Sequence, residues 1–172
     1  MKPVKWTLPL SCWAGFCYAQ HSRLFFSGDH IITSEEGGQQ GDPQLGILWS
    51  LTLEENLPDV LARAADGEGA LNFHVFFKDD GWVCGDDTAV ARFLHALREL
   101  GPPHGIELGE SKCELILAAG RHSLVDTGLF AGADSAANGI IVHTDAQFEI
   151  LGAAVGCTIF ASAETTRRAR NA

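Results

Sequence analysis

No apolar stretch in this sequence approaches the length that spans a bilayer, so a membrane-crossing helix is not expected. Basic residues are scarce: 12 Lys and Arg stand against 22 Asp and Glu, a formal charge of −10. That shortage counts against a surface built by itself to hold nucleic acid, because neutralising phosphates takes Lys and Arg. It leaves room for one acidic patch that recruits divalent cations. No C-x-x-C occurs, and the five cysteines (Cys12, Cys17, Cys84, Cys113, Cys157) are odd in number and widely spread. A disulfide framework and a structural zinc site are therefore not expected, and a reducing intracellular setting fits. No H-E-x-x-H or i, i+4 histidine pair occurs, so the seven histidines read as scattered. No internal repeat is visible.

What is present suits one folded domain. The 172 residues are 46% hydrophobic, enough for one buried core and short for two, and only local loops invite disorder. We expect a single domain over residues 1–172, with a core at about 11–156 and a tail at 157–172. The start, "MKPVKWTLPLSCWAGFCYAQ", imitates a secretory leader, but Pro9 and Ser11 break its apolar run and no clean small-residue cleavage site follows. An amphipathic helix over 10–20, with Trp13, Phe16 and Cys17 on one face, is the better expectation. "RLFFSGDHIITSEEGG" predicts a hairpin turning at Ser27-Gly28-Asp29. Asp42 can cap the helix that follows and Pro43 suits its first position, while Pro58 should kink or restart it before "DVLARAADGEG" ends it. "LNFHVFF" (71–77) and "GWVC" (81–84) predict a strand and its return. "DDTAVARFLHALREL" predicts a helix with Val90, Phe93, Leu94 and Leu97 at helical spacing. "GIELGESKCELILAA" offers one or two strands, 119–138 a loop, "GIIVHT" and "FEILGAAVG" two closing strands, and "ETTRRARNA" a frayed helix end. Antiparallel strands in runs, with helices gathered on one face, make the expected class α+β.

Two Asp-Asp pairs stand out, Asp79-Asp80 and Asp86-Asp87. Neighbouring side chains in a regular strand point to opposite faces, so Asp79 and Asp80 share a site only at a turn. Gly81 offers the backbone freedom for one between "HVFFK" and "GWVC". Two carboxylates at a hairpin tip suit hard cations such as Mg²⁺ or Mn²⁺, although Asp and Gly are also ordinary turn residues. Asp86 and Asp87 immediately precede a helix, where Asp caps free N–H groups, and are expected to be structural.

Gly38-Gln39-Gln40-Gly41-Asp42-Pro43, followed by Phe77-Lys78-Asp79-Asp80-Gly81, resembles the palm of a reverse transcriptase of the non-LTR retrotransposon type. Gly105-Ile106-Glu107-Leu108 with Lys112-Cys113-Glu114 resembles that family's fourth palm motif, and Phe148-Glu149-Ile150-Leu151-Gly152 its primer-grip strand. The likeness spans residues 11–170 or so, four motifs in order. It implies an RNA-directed DNA polymerase whose nucleotidyl transfer uses two Mg²⁺ or Mn²⁺ ions in the complete enzyme. Asp79 would be the principal ligand and Asp80 the secondary one. Gln40 and Gly41 would lie against the incoming base pair, with Asp42, Phe77 and Gly81 in the nucleotide and template set. Lys112 would meet the triphosphate or protonate the leaving group, and Leu151 and Gly152 would grip the primer. The implied partners are an RNA or DNA primer–template and deoxynucleoside triphosphates.

The departures matter as much. Gln44-Leu45-Gly46-Ile47 replaces the usual run after "QGDP", Gly109 stands where Asn is usual, and Phe77 where Tyr is common. Residues 1–28 hold no Asp or Glu, so the family's first catalytic aspartate has no counterpart there. The expectation is therefore an incomplete palm that does not polymerise alone and binds nucleic acid weakly or not at all. Two other classes compete. One is a non-catalytic binding module, for which Arg167, Arg168 and Arg170 are the local support. The other is a small Mg²⁺-dependent phosphohydrolase built on Asp79, Asp80 and Asp86.

Overall fold

The computed structural model describes residues 8–25, 30–34, 41–117, 127–130, 140–150 and 153–171. The chain is an α+β protein, and it divides into two compact units, Met1–Leu53 and Glu54–Ala172.

In the first unit, α1 (Leu8–Tyr18) forms close to the expected place but is not amphipathic. Its sequence, LPLSCWAGFCY, is apolar almost all round, so no single face collects Trp13, Phe16 and Cys17, and Phe16 is 89% exposed. The expected hairpin is present as β1 (Ser22–Phe25) and β2 (Ile31–Ser34), antiparallel with Phe25 opposite Ile31. Its turn at Ser27-Gly28-Asp29 lies outside the described residues.

The long helix α2 (Leu45–Ala65) begins in this unit and ends in the next. Pro58 does not restart it: the helix runs through. Proline leaves the carbonyl four residues earlier without its N–H partner, here that of Glu54. Glu54 and Pro58 both lie on the exposed side, where water takes the bond, while Val60 and Ala64 face inward.

The second unit is organised around that inward face. Strands β3 (Leu71–Phe77) and β4 (Asp80–Gly85) form an antiparallel hairpin, in register from Phe73 opposite Cys84 to Phe77 opposite Asp80. Helix α3 (Asp87–Leu100) follows at once. Val60, Ala64, Phe93 and Ala96 make the core, with Leu57, Leu61, Leu71, Phe76, Val83, Leu97 and Leu100 packed around them. Of the face expected for α3, Phe93 is buried, but its companions are Ala89, Ala91 and Ala96, small enough for close helix approach. Phe76 reaches from β3 to Phe93, ring centres 6.3 Å apart. Arg92 binds the end of α2, its Nε donating to the Ala64 carbonyl (3.0 Å) and its Nη2 to that of Glu68 (2.7 Å). The Ala64 carbonyl is thereby satisfied in the last turn of α2, while that of Glu68, past the helix end, also accepts the Thr88 hydroxyl.

Asp86 is the N-cap residue of α3 by backbone angle, and its carbonyl accepts the Val90 N–H (2.9 Å). Its carboxylate makes no cap bond. Instead Oδ2 accepts the Ala70 N–H (2.9 Å), while its own N–H donates to the Ala70 carbonyl, tying the helix start to the foot of β3. Asp87 accepts from the adjacent Thr88 N–H (2.9 Å). The pair is structural as expected, but by a strand-to-helix tie more than by capping.

Beyond α3 come short helical turns at Pro102–His104 and Glu110–Lys112, then β5 (Glu114–Ile116) and β6 (Ile141–His143), which pair in parallel. The described part of the expected 119–138 loop, Thr127–Phe130, is a helical turn. It is held by Arg98 Nη2 donating to the Phe130 carbonyl (3.2 Å) and by His95 Nε2 against that of Leu129 (3.0 Å). "FEILGAAVG" is two strands where one was expected, β7 (Phe148–Ile150) and β8 (Ala153–Val155), antiparallel. Leu151 and Gly152, between them, lie outside the described residues. Helix α4 (Thr158–Asn171) takes up most of the tail. Among the described residues the strands thus form four separate two-stranded ladders, where one antiparallel sheet was expected. No described helix is long and apolar enough to cross a membrane.

Gly81 tests this packing directly. A Cβ there would fall 2.5 Å from Cε1 and 2.6 Å from Cδ1 of Phe76, a ring whose centre lies 6.3 Å from that of Phe93. Gly81→Val should cost about 1–3 kcal/mol in urea unfolding. Phe93→Ala should cost about 3–5 kcal/mol. A neutral Gly81→Val would mean that the Phe76 ring is not seated over the strand.

Candidate functional site

The β3–β4 hairpin turns in two residues. Phe77 faces Asp80, so the loop is Lys78 and Asp79. Lys78 has φ of 55°. Positive φ at the first central residue is the conformation that two-residue hairpin turns require there, and it normally takes Gly, Asn or Asp. The sequence supplies Lys, and its Nζ sits 5.9 Å from the Phe77 ring centre, within range of a cation–π contact. The role expected of Gly81 is thereby corrected. Gly81 lies inside β4 opposite Phe76 and is required by the ring across it, not by the turn.

Asp79 therefore stands in the loop and Asp80 begins β4, both exposed. Because Asp79 is in the loop, the strand alternation that separates neighbours does not bind it. Phe77 and Gly81 flank the pair, so the structure brings four expected site residues together in five consecutive positions. No side-chain hydrogen bond or ion pair joins the Asp79 or Asp80 carboxylate to another described residue, in contrast to Asp86 and Asp87. Asp86 lies six residues beyond Asp80, about 20 Å along an extended strand, with its carboxylate turned to Ala70. It cannot share a cation with the tip, which removes the third ligand of the phosphohydrolase alternative.

Among the described residues no group of three or more His, Cys, Asp or Glu converges on a metal position. Mg²⁺ commonly keeps several waters and binds through one or two carboxylates plus substrate phosphates. Asp79 and Asp80 fit that sparse donor set and not an all-protein cage.

Lys112 is exposed on the Glu110–Lys112 turn. That turn is anchored by Arg98 Nε to Glu110 Oε1 (2.7 Å), and the Lys112 N–H donates to the Gly109 carbonyl (2.8 Å). No ion pair joins Lys112 to Asp79 or Asp80 among the described residues. Beside it, burial and then the Glu110 charge push the Cys113 thiol up, against the pull of Arg98.

Of the remaining expected positions, Leu151 and Gly152 lie outside the described residues, and Gln40, Gly41 and Asp42 fall in the first unit. Gln40 is outside the described residues. Gly41 adopts φ of 95°, and a Cβ added there would meet nothing within 4 Å, so backbone angle rather than crowding fixes glycine. Asp42 is spent internally: Oδ1 accepts the Gln44 N–H (2.8 Å) and Oδ2 accepts the Tyr18 hydroxyl. Its carbonyl accepts the Leu45 N–H (3.1 Å), so Asp42 opens α2 much as its sequence context suggested, two residues later than Pro43 would have placed the first turn. The Tyr18 bond first, and the Gln44 N–H second, hold the Asp42 carboxyl below its usual range, against the effect of partial burial. Tyr18 is the residue that sequence reasoning missed; nothing in its spacing from Asp42 announces the pair.

No protein family matches the chain, and neither a curated protein nor a solved structure matches it.

Tyr18→Phe removes the larger cause of the Asp42 shift. The carboxyl resonance of Asp42, followed by NMR through an acid titration, should then move its midpoint up towards 3.8. A depressed native pKa contributes stability that is present above the unfolded value and lost as pH falls through the native one, so the variant, lacking that contribution, should be less stable near neutral pH and lose less stability on acidification. An unmoved midpoint would show that the hydroxyl does not reach the carboxylate.

Proposed function

We propose that the chain is part of a reverse-transcriptase palm, an RNA-directed DNA polymerase by descent, in which the β3–β4 hairpin offers Asp79 and Asp80 to Mg²⁺ or Mn²⁺. One observation carries this reading. Of the two Asp pairs, the one inside the aromatic-x-Asp-Asp-Gly stretch stands exposed at the tip of a two-residue hairpin, without a described protein partner. The other pair is spent on the fold. A divalent cation there would supply Lewis-acid neutralisation of phosphate charge. The chain's own contribution is presentation: Phe76 and Phe93 fix the strand, Gly81 lets the ring close over it, and the Lys78–Asp79 loop projects the carboxylates. Asp79 is the principal ligand and Asp80 the secondary one. Lys112 meets the triphosphate, Gln40 and Gly41 with Asp42 line the nucleotide and template side, and Leu151 and Gly152 contact the primer.

With two carboxylates and no third ligand among the described residues, the isolated chain should hold the cation weakly and extend no primer. Mn²⁺ titration followed by NMR should broaden the amides of Phe77–Gly81 first. Added deoxynucleoside triphosphate should tighten that binding, because its oxygens complete the coordination. Asp79→Ala should weaken it roughly tenfold or more while changing stability by less than about 0.5 kcal/mol, as befits an exposed side chain. Broadening centred elsewhere, or no effect of the nucleotide, would sink the polymerase reading.

A further inference from the structure

The β3–β4 hairpin has two unlike faces. Phe76 and Val83 pack on the core, whereas the opposed pairs Phe73 with Cys84, Val75 with Trp82 and Phe77 with Asp80 share the outward face. Phe73 and Phe77 are each 55% exposed there and Val75 is 42% exposed. Together they leave about 300 Å² of apolar surface in water, in the range of the largest patch on a soluble domain, which is often functional. Both ends of this hairpin are acidic. Asp79 and Asp80 stand at the tip, and Asp66 and Glu68 are exposed in the loop that leads into its foot. None of these four carboxylates has a side-chain partner among the described residues. Over residues 66–87 six carboxylates stand against one lysine. That lysine, Lys78, holds its ammonium 5.9 Å from the Phe77 ring centre, so the aromatic face already takes a cation on its surface.

We propose that the outward face of the hairpin docks a basic amphipathic helix of another protein. The apolar stripe of that helix lies on Phe73, Val75 and Phe77, and its Lys and Arg residues meet the carboxylates at either end. Shape points to a helix. Strands lie about 4.8 Å apart, so a two-stranded ladder is about as wide as one helix, about 10 Å. β3 has seven residues and runs about 23 Å, the length of a helix of about fifteen. An added strand would pair at an edge and leave the face bare. A helix covers it and makes a second layer opposite α2 and α3, which pack on the other side. Charge selects the partner. A second copy of a chain of charge −10 would bring acid against acid, and an anionic lipid surface meets the same repulsion. A basic helix meets opposite charge at both ends of its apolar stripe. The patch is smaller than the roughly 800 Å² per partner of stable complexes, so the complex is a transient one. Nothing here rests on the polymerase reading.

The probe is a synthetic peptide of about sixteen residues, Leu along one helical stripe and Lys elsewhere, titrated into the ¹⁵N-labelled whole chain at low salt in EDTA. Amide shifts should centre on Phe73–Cys84. F73T/V75T keeps strand-forming residues and should weaken binding tenfold or more. D66N/E68Q should weaken it about threefold and lower its salt dependence. E54Q/E55Q removes the same charge from exposed positions on α2 and should leave binding unchanged. A peptide with Glu in place of every Lys should not bind. If F73T/V75T loses strand by circular dichroism, V75T alone should show part of the loss. Unchanged affinity in a folded F73T/V75T, equal effects of D66N/E68Q and E54Q/E55Q, or shifts centred elsewhere would overturn the docking face. So would self-association of the peptide-free chain that F73T/V75T abolishes, because a second copy would then hold the face. Phe73 and Val75 have no part in the Asp79–Asp80 proposal and the titration contains no free divalent cation, so failure of either proposal leaves the other standing.

Discussion

The Phe76 ring is the constraint on which the second unit turns. It packs towards Phe93, which sits in the core cluster with Val60, Ala64 and Ala96, and its edge covers the position where Gly81 has no side chain. That single residue couples the core to the strand carrying Asp80. A ring clamped between a core helix and a glycine has few rotamers to explore, and neither has the strand beneath it. The exposed tip thus inherits rigidity from buried apolar contacts. The carboxylates of Asp79 and Asp80 make no side-chain bond to another described residue.

Charge is the second organising term, and the acidic excess is not spread idly. Asp42 opens α2, Asp86 ties α3 to β3, Glu110 anchors Arg98, and Glu149 and Glu164 hold the arginines of α4. Asp42, Asp86, Glu110 and Glu149 each take a hydroxyl, N–H or guanidinium partner from another element, and Glu164 takes its partners within α4. Asp79 and Asp80 lack such a partner among the described residues, and they alone sit side by side at a projecting turn. A carboxylate pair that the fold does not use is the chemically available one. The exposed apolar side chains Phe73, Val75 and Phe77 line the outward face of the same hairpin. They show that the strand was not optimised as a simple solvent-facing edge.

Much of the local structure was legible in the residues. β3 runs over the seven residues that composition marked, because a β-branched and aromatic run between glycine-rich turns has few other uses. α3 was legible from periodicity, although its buried face relies on alanines that hydrophobic counting undervalues. The failures have physical causes. α1 is too apolar to show a face, Pro58 lies on the side of α2 where a missing N–H costs little, and the hairpin turn places Lys at a positive φ where glycine is the usual signal. The division of "FEILGAAVG" into β7 and β8 and the parallel pairing of β5 with β6 depend on distant partners, which no local pattern encodes.

By itself the sequence determined the α+β class, the hairpin with its Asp-Asp pair, the helix after it and the excess of acid over base. Each is a property of a few neighbouring residues, and turn chemistry, side-chain period and charge all act at that range. Tertiary structure alone decided which carboxylates are spent and which remain. It brought Tyr18 to Asp42, Ala70 to Asp86 and Glu149 to Arg168, across separations of 24, 16 and 19 residues. A hydrogen bond or ion pair acts over a few ångströms of space, and only the folded chain settles which residues come that close.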